Sequence, residues 1–296
     1  MNDVATRRQE FLAHNGMPGL EVLRPEQIDD AVRIFYRDGF VVVRDVLTTE
    51  QVKKLRQGCE REAELVVAAD HCNAGNRGPK RYSWGGASLT NSMLHCEEWV
   101  MLVDLDTLKP IIAGIFSSFD YHVRRAAGDF CLPGAEYQPL HSDIGDRKGG
   151  FIDPRSLLTI RDLPCPVVCC NFLAQDFTKL NGPTRQIPGT QHSHEKIPTL
   201  DEEPLWMKYS TVCPVPAGSV LIRDIRAWHG GTPNLSEDMR AIPNAIFLAP
   251  WYNERQVPSM PREMFDLLSG HGRRVCERVV SDDPLTTGYA FNSGNK

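Results

Sequence analysis

Three side chains of metal-binding type stand out by their spacing. Gln138-Pro-Leu-His141-Ser-Asp143 places a histidine and an aspartate two residues apart. In extended backbone, residues i and i+2 point to one face, so both could grip one ion. Far downstream, Trp228-His229-Gly-Gly follows the apolar run from Ser219 to Arg223 and offers a second imidazole. Two imidazoles and one carboxylate form a facial triad with three coordination positions open. That ligand set suits non-haem Fe(II), whose open positions accept a bidentate 2-oxo acid and O2. A structural zinc site would close its shell with four protein ligands instead. Eleven residues beyond His229, Arg240 precedes the apolar run Ala245 to Leu248. A guanidinium there could meet the distal carboxylate of 2-oxoglutarate in a bidentate salt bridge. Taken singly, each residue has a plainer reading: His-x-Asp pairs arise by chance, and a lone arginine is usually on the surface. The whole set, in this order, points to iron chemistry.

The elements that must position these groups can be read on both sides of residue 121. Pro25-Glu-Gln-Ile-Asp-Asp-Ala-Val-Arg-Ile-Phe-Tyr predicts a helix with Pro25 at its first position and Ile28, Ala31, Val32 and Phe35 on one face. Asp38-Gly39 ends it, and Phe40-Val-Val-Val-Arg predicts a strand. Thr48-Thr-Glu-Gln51 is a capping box, opening a helix through Val52, Leu55, Cys59 and Ala63. Residues 73–91, rich in Gly, Asn and Arg, read as a long loop, and a further helix is expected around Leu108 to Phe116. From about Tyr121 the texture changes to short apolar runs between Pro/Gly turns, with Val167 to Leu173, Ser219 to Arg223 and Ala245 to Leu248 the clearest strands. Short strands with regular turn signals predict a β-sandwich or barrel. The expected class is mainly β with flanking helices (α+β), in one domain over 1–296. It divides into a helical region at about 1–120, a β core at about 121–255 and a C-terminal extension at 256–296.

Composition excludes other classes. The formal net charge of -5 and the lack of any Lys/Arg block argue against a nucleic-acid partner. The longest apolar runs are too short to span a bilayer, and Met1 to Gly16 has no apolar secretory core. Nine cysteines with no CxxC pair suit neither a disulfide framework nor zinc; Cys169 and Cys170, inside an apolar run, read as small buried hydrophobes. A reduced, cytoplasmic setting and a monomer or homodimer are expected.

The motifs resemble those of the phytanoyl-CoA dioxygenase family of Fe(II)/2-oxoglutarate oxygenases. Asp38-Gly-Phe-Val-Val-Val-Arg-Asp-Val-Leu-Thr looks like the family's N-terminal strand, and Asn181-Gly-Pro-Thr-Arg-Gln-Ile-Pro-Gly-Thr-Gln-His like its Asn-Gly…Ile-Pro-Gly turn. His229-Gly-Gly-Thr-Pro-Asn-x-Ser with Arg240 looks like its distal ligand and carboxylate clamp. The resemblance implies a double-stranded β-helix (jelly-roll, cupin-like) core, cofactors Fe(II), 2-oxoglutarate and O2, and further cosubstrate contacts from Gln138, Thr184 and Thr232. Halogenating relatives replace the metal-bound carboxylate with a small residue; Asp143 is present, which argues against halogenation. The chain ends Ser-Gly-Asn-Lys without a peroxisomal tripeptide, so a smaller substrate than phytanoyl-CoA is expected.

On the substrate side, Tyr82, Trp84, Tyr137, Arg185, His192 and Trp228 lie in loops expected near the barrel mouth, with Arg81-Tyr-Ser-Trp-Gly-Gly a candidate lid. Packing of Trp84 and Tyr137 against the barrel is the alternative, as is an ordinary turn role for Thr184 and Thr232. His192 and His194 follow a turn and are left out of the metal shell. The expected activity is oxidation of a small molecule, by hydroxylation, desaturation, epoxidation or cyclisation, with release of succinate and CO2. The rivals are a cupin-type metal enzyme without 2-oxoglutarate, which gives Arg240 no purpose, and a non-catalytic binding protein on the same fold.

Overall fold

Local sequence sets the first elements. In the computed structural model, which describes residues 4–145 and 153–291, helix α1 (Val4–His14) and the two-residue strand β1 (Val22–Leu23) lead into α2 (Ile28–Asp38). Helix α2 starts later than the sequence predicts: Pro25 lies in the preceding turn and Gln27 is the cap residue. Gly39 ends it in the left-handed conformation at φ 80°, returning its N–H to the Phe35 carbonyl. Strand β2 (Phe40–Val43) follows, then α3 (Thr49–Ala69), whose capping box forms as read: the Thr48 hydroxyl accepts from Gln51 N, and the Gln51 side chain accepts from Thr48 N.

The expected loop over 73–91 is partly ordered into β3 (Arg81–Ser83) and the one-turn helix α4 (Trp84–Ala87). The reason is burial: Tyr82 and Trp84 anchor that segment in the core, which outweighs its loop-like composition. Helices α5 (Glu97–Leu102) and α6 (Lys109–Phe116) precede the long strand β4 (His122–Cys131). Then come β5 (Val167–Phe172), β6 (Thr184–Gln186), α7 (Leu205–Tyr209), β7 (Val220–Asp224), β8 (His229–Gly231) and β9 (Arg240–Leu248). The C-terminal part holds β10 (Met260–Pro261), α8 (Arg262–Asp266), α9 (Gly270–Cys276) and β11 (Val280–Ser281). The terminal residues read for a targeting tripeptide lie outside the described residues.

The main sheet runs in the order β1-β2-β7-β5-β9-β4-β3, antiparallel except for the β1–β2 pair. Its two faces follow the two-residue period of a strand. Val168, Cys170, Phe172, Val220, Ile222, Ala245 and Phe247 pack into the core beneath the helices. Their neighbours Cys169, Asn171, Arg223, Ile242, Asn244 and Ile246 line a cavity on the other face. Over that face lies a smaller sheet, in which β6 pairs β8 antiparallel and single bridges, including His141 with His229, extend the pairing. Two facing, mostly antiparallel sheets with helices outside form a double-stranded β-helix. All nine cysteines are free, and Cys169 and Cys170 are buried as expected. Among the described residues, no helix is long and apolar enough to cross a membrane.

Candidate metal centre

Backbone pairing, more than sequence proximity, assembles the site. His141 lies in an extended segment outside the named strands, and its N–H and C=O pair with the C=O and N–H of His229 at 2.9 and 3.0 Å. That bridge brings the two imidazole centroids to 4.2 Å. Asp143, two residues on, is pinned by its N–H to the Ile225 carbonyl at 2.9 Å. Its Oδ1 lies 3.7 Å from His141 Nε2 and 3.6 Å from His229 Nε2. One ligand atom from each of the three lies within 4.8 Å of the others. The two Asp143 edges, at 3.7 and 3.6 Å, are wider than the about 3 Å expected between ligands each ~2.1 Å from a common ion.

The atoms that do not face the common point orient those that do. His141 Nδ1 is 3.0 Å from the Pro139 carbonyl and His229 Nδ1 is 3.0 Å from the Ala227 carbonyl. A ring that donates from Nδ1 presents a lone pair at Nε2, the tautomer a metal needs. Arg223, at 4 % exposure, adds a charge that the sequence reading missed. Its Nη2 donates to Asp143 Oδ2 at 2.8 Å, and its Nη1 lies 3.1 Å from His229 Nδ1. Carbonyl and guanidinium therefore compete for that nitrogen, and only the tautomer donating to Ala227 frees Nε2. For Asp143, burial alone would raise the pKa. The Arg223 guanidinium and the two histidines override it and hold the carboxyl well below the usual range. Burial, then Arg223, pushes His229 well below an ordinary histidine. Both groups thus favour the protonation states that bind a cation. The donor set fits a divalent transition metal.

Arg240 opens β9 and is buried; its Nε donates to the Gly182 carbonyl at 2.9 Å, and the side chain lines the same cavity as the three ligand candidates. No carboxylate among the described residues pairs with it. Gln138 and Thr184 also line the cavity, although Gln138 Oε1 accepts from Gly231 N at 3.2 Å. Thr232 is fully buried, its hydroxyl spent on the Pro183 carbonyl, and it is not among the lining residues.

Most of the substrate-side candidates lie elsewhere. Trp84 is not on a lid: it is fully buried between Trp99 and Phe130. Arg185 is fully buried and bonded to Glu203 and the Gln138 carbonyl, with Tyr137 stacked on its guanidinium. Trp228 joins Leu140 and Ile187 in a separate apolar cluster, and His192 turns its Nδ1 to the Arg161 carbonyl. None of these five lines the cavity; Tyr82 does, stacked on Phe130 with its hydroxyl on Asp70. For Trp84 the packing alternative holds, and the long connections here are packed instead of lining the cavity mouth. A charge at the end of the apolar run Val220-Leu-Ile-Arg223 was the available signal for Arg223, since a buried cation requires a partner.

Comparison with known proteins agrees with this geometry. Residues 127–242 match the family model described as Phytanoyl-CoA dioxygenase (PhyH). The match to that family covers the β core and both histidines. His141, Asp143, His229 and Arg240 all fall within the matched residues, whereas Arg125 lies two residues before them. Dioxygenase ALT11 of Alternaria alternata is 27% identical over 190 residues, covering 60% of this chain and 59% of that protein, so the match spans less than two thirds of the relative. Three crystal structures share the fold. AviO1 from Streptomyces viridochromogenes has a TM-score of 0.51 at 20% identity, over 77% of this chain and 97% of that one. EctD from S. alaskensis, with 2-oxoglutarate and 5-hydroxyectoine, gives 0.55 at 16%, over 76% and 77%. HygX from Streptomyces hygroscopicus, with nickel, 2-oxoglutarate and hygromycin B bound, gives 0.56 at 16%, over 78% and 91%.

Proposed function

We propose that the chain is an Fe(II)- and 2-oxoglutarate-dependent dioxygenase that oxidises a small molecule in the cytoplasm, working as one unit over its whole length. The observation that carries this reading is the convergence of His141, Asp143 and His229 on one point, in a cavity that also holds the carboxylate-free Arg240. His141 and His229 would bind the iron through Nε2 and Asp143 through Oδ1, with Arg223 holding the second carboxylate oxygen aside. Arg240 would take the distal carboxylate of 2-oxoglutarate, and Gln138 and Thr184 border the same space. When bound, iron with 2-oxoglutarate and O2 supplies an oxidation that releases succinate and CO2. The chain contributes ligand orientation, a charge to anchor the cosubstrate and walls that exclude water.

The family match and the two relatives crystallised with 2-oxoglutarate support this reading. A cupin-type enzyme without a 2-oxo acid leaves Arg240 buried with no anionic partner among the described residues. The decisive measurement is anaerobic: wild-type protein given Fe(II) and 2-oxoglutarate should develop the weak visible charge-transfer band of the chelate. His141→Ala and Asp143→Ala should not. A wild-type protein that binds iron and shows no such band would end the proposal. Screening metabolites for stimulated succinate release then identifies the substrate.

A further inference from the structure

The cavity beside the metal centre carries more positive charge than its own carboxylates balance. Among the described residues lining it are six arginines and two aspartates, with neither lysine nor glutamate. A divalent metal and a 2-oxoglutarate dianion would cancel each other, so loading both leaves that excess in place. Most of the arginines are already committed. Arg223 holds Asp143; Arg81 donates to the Glu136 and Thr232 carbonyls; Arg124 pairs with Glu254; Arg77 lies 3.9 Å from Asp129.

Arg125 is different. It stands on the cavity face of β4, its Nε is buried without a hydrogen-bond partner, and its contact from Nη1 to the Asn91 carbonyl is a long 3.4 Å. On the adjacent strand, Asn244 Oδ1 is likewise buried and unpartnered, so two polar groups at this end of the cavity lack protein partners. Burial, with Arg124 and Arg77 nearby, lowers the Arg125 pKa despite Asp129 on the same face. An anion would give the Arg125 Nε the acceptor it lacks, since a buried unpaired donor is costly and a charge-assisted bond is strong, while Asn244 Oδ1, itself an acceptor, would take an N–H or O–H of the same molecule.

The sheet register separates this residue from the cosubstrate end. Arg125 is opposite Ile246, six residues along β9 from Arg240, roughly 20 Å at strand spacing. The same transverse row continues from Ile246 through Cys169 to Arg223, three strand spacings or about 14 Å, so Arg125 lies across the cavity from Arg223 and the Asp143 it holds. The cavity, of about 400 Å³, suits a small ligand.

We propose that Arg125 anchors an anionic group of the substrate, a carboxylate or a phosphate, so that the molecule oxidised is a small anion held by its charged end. This substrate class rests on the oxygenase reading, and the tests of the two are separable. Calorimetric titration of the metal-free protein would use pairs of compounds with the same carbon skeleton: carboxylate against primary amide, and phosphate monoester against alcohol. Wild-type protein and Arg240→Gln should both prefer the charged member of at least one pair by tenfold or more. The pair that responds tells carboxylate from phosphate. Arg125→Gln should lose the preference, and Arg125→Lys should recover part of it. No preference in wild type, an unchanged preference in Arg125→Gln, or its loss in Arg240→Gln alone would each overturn the proposal; the last would place the anion at the cosubstrate end. The charge-transfer band of the chelate reports separately on the oxygenase reading, and its absence would leave the anion titration standing.

Discussion

Replacing Arg240 by glutamine removes the charge that faces the cavity while sacrificing a single hydrogen bond, to the Gly182 carbonyl. Truncating one partner of a desolvated charge pair costs roughly 2–5 kcal/mol. The Michaelis constant for 2-oxoglutarate should therefore rise about thirtyfold or more, with little change in the melting temperature. An unchanged constant would remove Arg240 from cosubstrate binding. Arg223 tests a different property. Its guanidinium holds the Asp143 carboxyl below the usual range, so the carboxylate remains available to a cation into acid. In Arg223→Met that depression should shrink. On acidification, metal should then be lost at a higher pH than in wild type, because Asp143 and His229 both lose the neighbouring cation that keeps them unprotonated. Metal retention against pH measures it, and coincident profiles would show that Arg223 does not tune these two residues.

At the scale of elements, Gly128 is a point where β4 tolerates no side chain. Its φ is +129°, and a Cβ there would lie 2.3 Å from the Ile242 carbonyl oxygen and 2.6 Å from Pro243 Cα on β9. Gly78 offers a control, since it also has positive φ, at +100°, but open space around it. Gly78→Ala bears backbone strain alone, on the order of 1–3 kcal/mol, and Gly128→Ala should lower the thermal midpoint clearly further. Equal midpoints would mean that β4 and β9 can part without cost. The glycine signal was present in the sequence, but the strand partner that makes it matter was not. The same holds for the site. His141, Asp143, His229 and Arg240 were legible because chemistry fixes their types and a regular period fixes their directions. Arg223 and Arg125 were not, because their meaning comes from which strands lie side by side. Trp84 follows its packing alternative and Arg185 lies off the cavity, because long-range packing that local composition cannot show buries both.

Across the whole molecule, Asp104 is one of the carboxylates that hold the C-terminal segment to the helical layer, as Glu62 does through the Tyr289 hydroxyl. Asp104 accepts from Ser269 N and Ser269 Oγ, both at 2.7 Å, and pairs with Lys109 at 2.9 Å, while Ser269 Oγ caps α9. Burial pushes the Asp104 pKa up, but Lys109 and Ser269 outweigh it and the net shift is downward. A carboxyl lowered on folding adds stability above its unfolded value, about 3.9, and that contribution fades as pH falls through the folded value. Asp104→Asn should thus be less stable than wild type at neutral pH, by about 1–3 kcal/mol for bonds to a charged group. The difference should narrow toward pH 3 in denaturant titrations. A gap that persists undiminished in acid would assign the effect to packing rather than charge.

Strand β2 has a consequence for anyone trimming the chain for expression. It sits between β1 and β7, pairing Phe40 to Val43 with Val220 to Arg223, so residues from the start of the chain cover the flank of the strand that carries Arg223. A truncation beginning after residue 44 would bare the hydrogen-bonding edge of β7, the strand whose Arg223 holds Asp143. Such an uncapped edge is a template for another chain, so a shortened version should emerge as soluble aggregates or swapped oligomers instead of as a smaller monomer.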